Sequence, residues 1–411
     1  PNHHLDNLPF PALDLLPSIT DYTISPHHGR SGRFAPVNTT RGCPYNCEFC
    51  SITAYQGTKY RFRSVENVIE ELKMLKDEQG VTMTSFREGV ATLRKTRMKQ
   101  ICQRMIEEEL NLSWTCTATI SSADPEMFRL MKAAGCTSIE YGIETGSETV
   151  LNANPYLLSK NFSVEKVAEV VHMTADAGID VHGYFIIGMP GETKQTVDET
   201  IKFACSVPIS TAGFTIAIPF PGTELYHYYS SRNRLHDKPW YQFDPNFGVV
   251  IEHESLTATE LEAAYKKAWR KFYLRPSQIL RRFRAIRSWA DLLNHIDLGY
   301  RYLVAGTSSS NPKGWGWKTT GFKKSPDGKV PQDFSNEELT EGKGMSDTVI
   351  KVGALMTKRY IIQQGQQGDV SAQINGLASL ILFAIAATDR GESFMSKALA
   401  TSGFFKGTTK K

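Results

Sequence analysis

Cys43-Pro-Tyr-Asn-Cys47-Glu-Phe-Cys50 places three cysteines in the spacing C-x3-C-x2-C, shortly after an extended run that begins at Phe34. Three thiolates on one short loop can hold three irons of a [4Fe-4S] cluster and leave the fourth iron open to a substrate or cofactor. A structural zinc site at this spacing needs a fourth ligand close by, and none follows the triplet at the usual distance. His27 and His28 could in principle complete a zinc site, but they lie 15 or more residues before Cys43.

The aromatic residue directly before the last cysteine extends this pattern. With Phe49 in that place, the triplet resembles the signature of the radical S-adenosylmethionine (radical SAM) superfamily, C-x3-C-x-aromatic-C. In that family the open iron of the cluster binds SAM, and one electron cleaves it to methionine and a 5′-deoxyadenosyl radical. The resemblance implies that Cys43, Cys47 and Cys50 are the cluster ligands and that Phe49 packs beside the adenine. A cysteine triplet also occurs in unrelated proteins, so the flanking sequence has to decide.

Composition and cysteine usage bound the class of protein. The 411 residues are 41% apolar and 22% charged, which is typical of a globular chain with one large domain and a smaller one. The formal net charge of +4 is mild and does not require nucleic acid as a partner. The other cysteines are scattered through apolar patterns and no charged-then-apolar leader is present, so we expect no disulfide framework and a cytoplasmic location. These cysteines are Cys102, Cys116, Cys136 and Cys205.

Hydrophobic periodicity predicts an α/β fold. Between residues 34 and 220, short apolar runs alternate with amphipathic stretches such as Val65 to Leu75, where Ser64 is a candidate N-cap. The resulting prediction is a partial parallel (β/α)6 TIM-like barrel of the radical SAM type, followed by a mainly helical C-terminal region. The cysteine loop then falls at the C-terminal end of a strand, where such barrels carry their chemistry. Strands are predicted at 81–86, 112–117, 137–143, 181–187 and 212–218, after the run from Phe34.

Three further segments resemble radical SAM motifs at predicted strand ends. In Glu140-Tyr-Gly-Ile-Glu144-Thr-Gly146-Ser147, the resemblance implies that Glu144, Gly146 and Ser147 approach the SAM ribose and methionyl amino group. Standing alone, the segment also fits a strand-to-helix turn with a capping acid.

The second segment follows the fifth predicted strand. The resemblance implies that Gly188 and Pro190 shape a tight backbone path beside the cofactor, and that Pro221-Gly-Thr223 closes the sixth strand. His182 is interpreted as a hydrogen-bonded strand histidine without a ligand role.

These motifs cover roughly residues 30 to 230 and most resemble the cobalamin-associated branch of the superfamily, which contains class B methyltransferases and anaerobic cyclases. The opening residues resemble the linker that joins a cobalamin-binding domain to the barrel, so we expect cobalamin to come from a missing or separate domain. Two positions depart from the family pattern. Glu88 retains one of the paired acids that relatives tend to carry and is assigned a cofactor contact, whereas Gly89 replaces the other. Thr117 to Thr119 lack the basic residue that commonly holds the SAM carboxylate.

The domain prediction follows from these patterns. We expect a linker-like segment at 1–30, the barrel at 31–230, a helical extension at 231–305, a loop or linker at 306–345 and a helical segment at 346–411. From Arg270 to Arg287 the chain carries seven basic residues and no acid. Such a stretch can bind RNA or contact a membrane surface peripherally, but it is more often a face that docks on another part of the protein.

Two classes of function remain. The first is a radical SAM enzyme that methylates, cyclises or rearranges an unactivated carbon of a small-molecule substrate in secondary, lipid or tetrapyrrole metabolism. The resemblance also implies a reductant such as flavodoxin or ferredoxin. The alternative is a non-catalytic iron-sulfur or zinc-binding protein whose basic C-terminal region binds a partner. The substrate itself is not encoded in these motifs.

Overall fold

The computed structural model describes residues 4–15, 33–154, 163–238, 243 and 248–285. Its centre is a sheet of six parallel strands that lie side by side in chain order. Two shorter strands, β2 and β3, form a separate antiparallel pair. The strands are Phe34–Val37 (β1), Thr40–Arg41 (β2), Arg61–Phe62 (β3), Met83–Phe86 (β4), Ser113–Ala118 (β5), Cys136–Glu144 (β6), Asp180–Ile187 (β7) and Thr211–Ile216 (β8).

Helices connect consecutive strands of the main sheet, and local capping explains where several begin. The hydroxyl of Ser64 accepts a hydrogen bond from the Asn67 N–H, and Asp124 accepts one from Met127. The helices are Ile52–Gln56 (α1), Val65–Asp77 (α2), Lys95–Glu107 (α3), Pro125–Ala133 (α4), Glu148–Ala153 (α5), Val164–Asp176 (α6), Lys194–Ser206 (α7), Glu224–Ser230 (α8), Ala258–Tyr273 (α9) and Pro276–Ala285 (α10).

The α/β prediction is confirmed, with shifts at element ends. Each predicted strand is present within a few residues of its expected bounds, and the strand order is that of an incompletely closed, singly wound barrel. Helix α3 begins at Lys95, three residues after Thr92. The hydroxyl of Thr92 instead hydrogen-bonds that of Ser122, which holds the preceding turn outside the helix.

The two faces of the sheet differ in chemistry. On the outer face, Phe185 and Phe214 stack with ring centroids 5.1 Å apart, and Phe214 also packs against Trp269 and Phe272 of α9. Alternate residues of the same strands point to the opposite, inner face. There the side chains are polar and include the half-buried His182, whose Nδ1 lies 2.7 Å from the Thr211 hydroxyl. The inner face is therefore a polar, partly open surface.

The gap between the first and last strands is bridged above the sheet. Among the described residues β1 and β8 pair only on one side each, so the sheet has two open edges. The loop after β1 nevertheless meets the turn after β8, because the Leu225 N–H donates to the Glu48 carbonyl at 2.8 Å. The cysteine loop is thereby attached to both edges of the barrel.

Helices α9 and α10 account for part of the basic stretch. The Arg275 guanidinium donates to the carbonyls of Cys205 and Ile209, and Arg281 forms an ion pair with Asp180 of β7. These contacts favour the docking interpretation of that stretch. The segments predicted at 306–345 and 346–411 lie outside the described residues, and the domain boundaries remain predictions.

The helices of the described residues are short or amphipathic. None of the helices there combines the length and the apolar character that crossing a bilayer requires.

Candidate functional site

The cysteine loop is the tip of a β-hairpin. Strands β2 and β3 pair antiparallel, with Thr40 opposite Phe62 and Arg41 opposite Arg61, and so close the chain around residues 42–60. The Cys43 N–H donates to the Gly57 carbonyl at 3.3 Å, which adds a contact inside the loop. The hairpin fixes both ends of the loop, so the three thiols are carried on a constrained segment.

Gly42 is required by the geometry of this loop. Its φ of +83° lies in the left-handed region, and a Cβ at this position would lie 2.3 Å from the Lys59 carbonyl oxygen. Its N–H donates to the side-chain oxygen of Gln56 at 3.0 Å. The backbone therefore passes directly from the hairpin into Cys43 along a path that only glycine fits.

The three loop cysteines differ from the other four in their surroundings. Cys43 and Cys47 are buried and Cys50 is half-buried, all on one loop above the sheet. By contrast, Cys102 lies in the apolar core, where burial raises the pKa of its thiol. A hydrogen bond to Cys136 together with burial raises the pKa of Cys116. Neutral buried thiols of this kind are poor metal ligands, so the loop set remains the candidate.

The donor set and the space around it fit a cluster. Within the described residues, no three His, Cys, Asp or Glu side chains form a group that could hold a metal ion. A cluster distributes its thiolate ligands over separate irons, so these ligands need not converge on one point. Gly89 leaves the side of Cys43 uncrowded, since a Cβ there would lie 3.5 Å from the Cys43 Cβ and 3.4 Å from Ile52. Phe49, within the loop, is partly buried and packs against the core.

Glu88 lies beneath the start of the hairpin. Its Oε2 accepts hydrogen bonds from the N–H groups of Thr39 at 2.6 Å and Thr40 at 3.3 Å, and its Oε1 accepts from the Thr39 hydroxyl at 2.7 Å. Arg97 donates to the Thr39 carbonyl at 3.2 Å and to the Arg63 carbonyl at 2.9 Å. Burial raises the pKa of the Glu88 carboxyl. The contacts observed for Glu88 hold the segment that leads into Cys43.

Glu144 ends β6 in an unusual conformation. Its φ is +68°, and the pairing of β6 with β7 shifts register between Gly142 and Glu144. A positive φ is uncommon for a residue other than glycine and often marks a functional or strained position. The side chain is buried at the C-terminal end of its strand. This is the end of the sheet at which the cysteine loop also lies.

Gly146 and Ser147 pack against helix α7. A Cβ on Gly146 would lie 2.5 Å from the Cβ of Phe203, and the Gly146 N–H donates to the Thr200 hydroxyl at 3.0 Å. The Ser147 hydroxyl donates to Glu199 at 2.6 Å. Close packing against Phe203 thus explains why residue 146 is glycine. The expected cofactor contacts of Gly146 and Ser147 remain predictions.

The turn after β7 contains a buried carboxyl group. Gly188 has a φ of +92°, and its N–H donates to the Glu192 carboxylate. The Pro190 carbonyl accepts a hydrogen bond from Asn154 at 2.9 Å, which ties this turn to the end of α5. Glu192 is fully buried, and burial raises the pKa of its carboxyl to about 7. The predicted tight turn is present, with Glu192 as its internal acceptor.

Glu192 is expected to make stability depend on pH. The pKa of Glu192 is about 7 in the folded state and 4.5 ordinarily, so the folded state binds the proton more tightly than the unfolded state does. The free energy of unfolding therefore falls as the pH rises from 4.5 to about 7. The shift corresponds to about 3 kcal/mol. Urea unfolding should show Glu192→Gln gaining stability relative to wild type at pH 8 but not at pH 4.5. Exposed Glu70→Gln is the control, and an identical difference at both pH values would contradict this assignment.

Four inner-face residues were not singled out as a site from sequence. The Tyr184 hydroxyl donates to the Glu140 carboxylate at 2.8 Å, and Arg87 lies 3.9 Å from the same oxygen. The ring of His182 meets that of Tyr184 edge-on, with centroids 4.5 Å apart. An acid inside a parallel strand, where apolar residues are usual, was the signal available for Glu140.

A cavity of about 630 Å³ borders the cysteine loop at the rim of the sheet. It is lined by Glu48, Asn154, Pro190 and residues of α8. Burial raises the pKa of Glu48 to about 7.

Comparison with known proteins agrees with this architecture. Residues 37–204 match the family described as the Radical SAM superfamily. An uncharacterized methyltransferase of Pyrococcus horikoshii is 34% identical over 68% of this chain and 58% of that protein. The anaerobic magnesium-protoporphyrin IX monomethyl ester cyclase of Cereibacter sphaeroides is 26% identical over 59% of this chain and 39% of that protein. The chain thus spans less than two thirds of the length of these relatives.

A solved structure is similar in fold. The radical S-adenosylmethionine methyltransferase TsrM from Kitasatospora setae, solved with cobalamin and a [4Fe-4S] cluster bound, superposes with a TM-score of 0.50 at 19% identity. The superposition covers 60% of this chain and 52% of that one.

Proposed function

We propose that this protein is an enzyme that cleaves SAM reductively to modify a carbon atom of an organic substrate, because residues 37–204 match the Radical SAM superfamily. The observation that carries this proposal is the constrained hairpin tip with three thiols at the C-terminal end of the sheet. Parallel α/β barrels place their reactive groups at this end.

The cofactors would be held by residues with separate tasks. Cys43, Cys47 and Cys50 would ligate a [4Fe-4S] cluster, which together with SAM supplies a 5′-deoxyadenosyl radical. Phe49 would pack against the adenine. Glu88, through Thr39 and Thr40, would keep the hairpin in place beneath the cluster loop.

The residues after β6 and β7 would complete the SAM site. Glu144 would accept hydrogen bonds from the ribose or the ammonium of SAM, since its carboxylate lies at the same end of the sheet as the thiols. Gly146, Ser147, Gly188 and Pro190 would form the adjoining backbone wall. Water would be excluded by the turns after β6, β7 and β8, which lie around this end.

Methyl transfer is the outcome that we propose. The methyltransferase of Pyrococcus horikoshii shares 34% identity, against 26% for the Cereibacter sphaeroides cyclase. Cobalamin is proposed as a further cofactor, because TsrM has a similar fold and was solved with it bound. Cyclisation is the second candidate, and the cyclase relative favours it.

Labelled SAM separates these outcomes. Anaerobically reconstituted protein with dithionite, or with a flavodoxin or ferredoxin as the physiological type of reductant, should release 5′-deoxyadenosine from SAM. With hydroxocobalamin and substrate extracts present, [methyl-14C]SAM should transfer label to an organic product. Cleavage without transfer in a substrate-dependent reaction would favour cyclisation, and absence of cleavage would contradict the proposed function.

Glu144→Gln tests the SAM site directly. Replacing the charged acceptor should weaken SAM binding by roughly 1.5–3 kcal/mol, or about 10- to 150-fold, because a hydrogen bond to a charged group is lost. The absorption spectrum of the cluster should be unchanged, since the substitution leaves the cysteine loop intact. Equilibrium binding of SAM to the reconstituted variant measures the effect. Glu148→Gln, at the exposed start of α5, is the matched control, and unchanged SAM affinity in Glu144→Gln would remove this residue from the site.

A further inference from the structure

The inner face of the sheet carries a cluster of polar side chains that are not among the residues proposed to bind SAM or the cluster. Adjacent strands place Glu140 of β6 opposite His182 of β7, and Gly142 opposite Tyr184. Arg87 follows β4 and approaches the same carboxylate. A barrel interior is ordinarily filled with branched apolar side chains. Polar side chains at these positions can instead form hydrogen bonds with a polar ligand.

Arg87 is the cation of this cluster, and its guanidinium contacts the Tyr184 hydroxyl while it has further donors. Its side chain is 49% exposed, and its nearest acidic atom, Glu140 Oε2, lies 3.9 Å away. This distance is too long for a hydrogen bond, and in the described part of the chain the guanidinium makes no other ion pair. A guanidinium has five N–H donors in a planar fork that matches the oxygens of a carboxylate or phosphoryl group.

Tyr184 and Glu140 fix the rest of the geometry. Burial raises the pKa of Tyr184, so its hydroxyl keeps its proton and donates to Glu140. A Cβ at Gly213 would lie 3.0 Å from the Tyr184 ring, so glycine on β8 makes space for that ring. The rings of Tyr184 and His182 together form an aromatic surface beside the guanidinium.

We propose that Arg87, with the Tyr184 and His182 rings beside it, binds an organic substrate that carries an oxyanion, a carboxylate or phosphonate, next to an aromatic or other apolar body. That this ligand is the substrate of the reaction rests on the proposed function. The binding of an oxyanion by Arg87 does not depend on it. Glu140 does not prevent anion binding. Coulomb energy falls with distance, so an oxyanion roughly 3 Å from the guanidinium and roughly 6 Å from Glu140 gains about twice what it loses.

The segment that carries Arg87 also sets its distance from the cluster loop. Glu88 holds the backbone of Thr39 and Thr40, and Gly89 lies against Cys43. The three consecutive residues thus connect the inner face to the cysteine loop. A substrate whose oxyanion is held by Arg87 is bound close to the end of the sheet where SAM would react.

The test uses three probes of one shape: 3-phenylpropanoate, (2-phenylethyl)phosphonate and the neutral 3-phenylpropanamide. Calorimetric titration of the full reconstituted chain without SAM should give at least tenfold tighter binding of one or both oxyanions than of the amide. The tighter of the two identifies the oxyanion. Arg87→Gln should remove this preference and leave amide binding unchanged, while Tyr184→Leu should weaken all three probes.

The control is Arg232→Gln, a distant arginine that stacks on Tyr228 and should retain the preference. Equal binding of the three probes to wild type, or an unaltered preference in Arg87→Gln with an unchanged unfolding midpoint, would overturn the proposal. SAM affinity of Arg87→Gln should be unchanged, and a tenfold loss would assign the guanidinium to SAM instead. Because the probes are titrated without SAM or reductant, this result does not depend on whether SAM is cleaved.

Discussion

Alanine at Cys43, Cys47 or Cys50 is expected to reduce the iron bound after anaerobic reconstitution from about four per chain to nearly none, and to abolish release of 5′-deoxyadenosine. Each substitution removes one thiolate from a set that has no replacement on its loop. Iron and sulfide analysis, the visible spectrum and chromatography of the SAM products measure the effect.

A matched thiol elsewhere makes this expectation specific. Cys205 is half-buried like Cys50, but it lies at the end of α7, where its thiol contacts the Lys271 carbonyl of α9. Cys205→Ala should therefore bind the full complement of iron and cleave SAM at the wild-type rate. Cleavage that persists in a Cys43, Cys47 or Cys50 variant with a normal circular dichroism spectrum would refute the ligand assignment.

The sequence predicted the parts of this fold that periodicity encodes. The main strands and the helices between them each extend over enough residues for an apolar pattern to be visible, as in Val65–Asp77. The hairpin around the cysteine loop was not predicted. Its strands, Thr40–Arg41 and Arg61–Phe62, contain two residues each, which is too few for any alternation.

The site was predictable where chemistry lies in consecutive residues. The cysteine triplet is local, whereas Glu140 and Tyr184 come from two strands and Arg87 from the end of a third, so their cluster depends on register. Register across a parallel sheet is set by packing of the whole barrel, which one strand's sequence does not reveal.

Two residues after the middle of β6 show a further limit of sequence reasoning. Gly146 was predicted to approach a cofactor, which stays a prediction, and the structure shows that it also packs closely against Phe203 of α7. A glycine signals close approach but does not say which group approaches. Glu144, with a φ of +68°, occupies a conformation that the sequence would assign to glycine or asparagine.

The second large effect is expected at Glu88, which stabilises the base of the hairpin. Its carboxylate accepts three hydrogen bonds, two from Thr39 and one from Thr40, and is only 7% exposed. Glu88→Ala leaves these donors buried without an acceptor and also removes the negative charge that faces Arg97. We expect a loss of about 3–5 kcal/mol in the free energy of unfolding, since each unsatisfied buried group costs about 1–3 kcal/mol.

Urea unfolding of the apo-protein measures this loss, and Glu70→Ala, an exposed acid on α2, should change the free energy of unfolding little. Glu88→Gln can keep its amide oxygen on the two backbone N–H groups and turn its NH2 toward the Thr39 hydroxyl, but it loses the charge that faces Arg97, so its stability should fall between that of wild type and Glu88→Ala. Because Thr39 and Thr40 lead directly into the cysteine loop, iron incorporation should decrease in the same order as stability. A Glu88→Ala protein with wild-type stability but weakened SAM binding would instead place this carboxylate in the cofactor site.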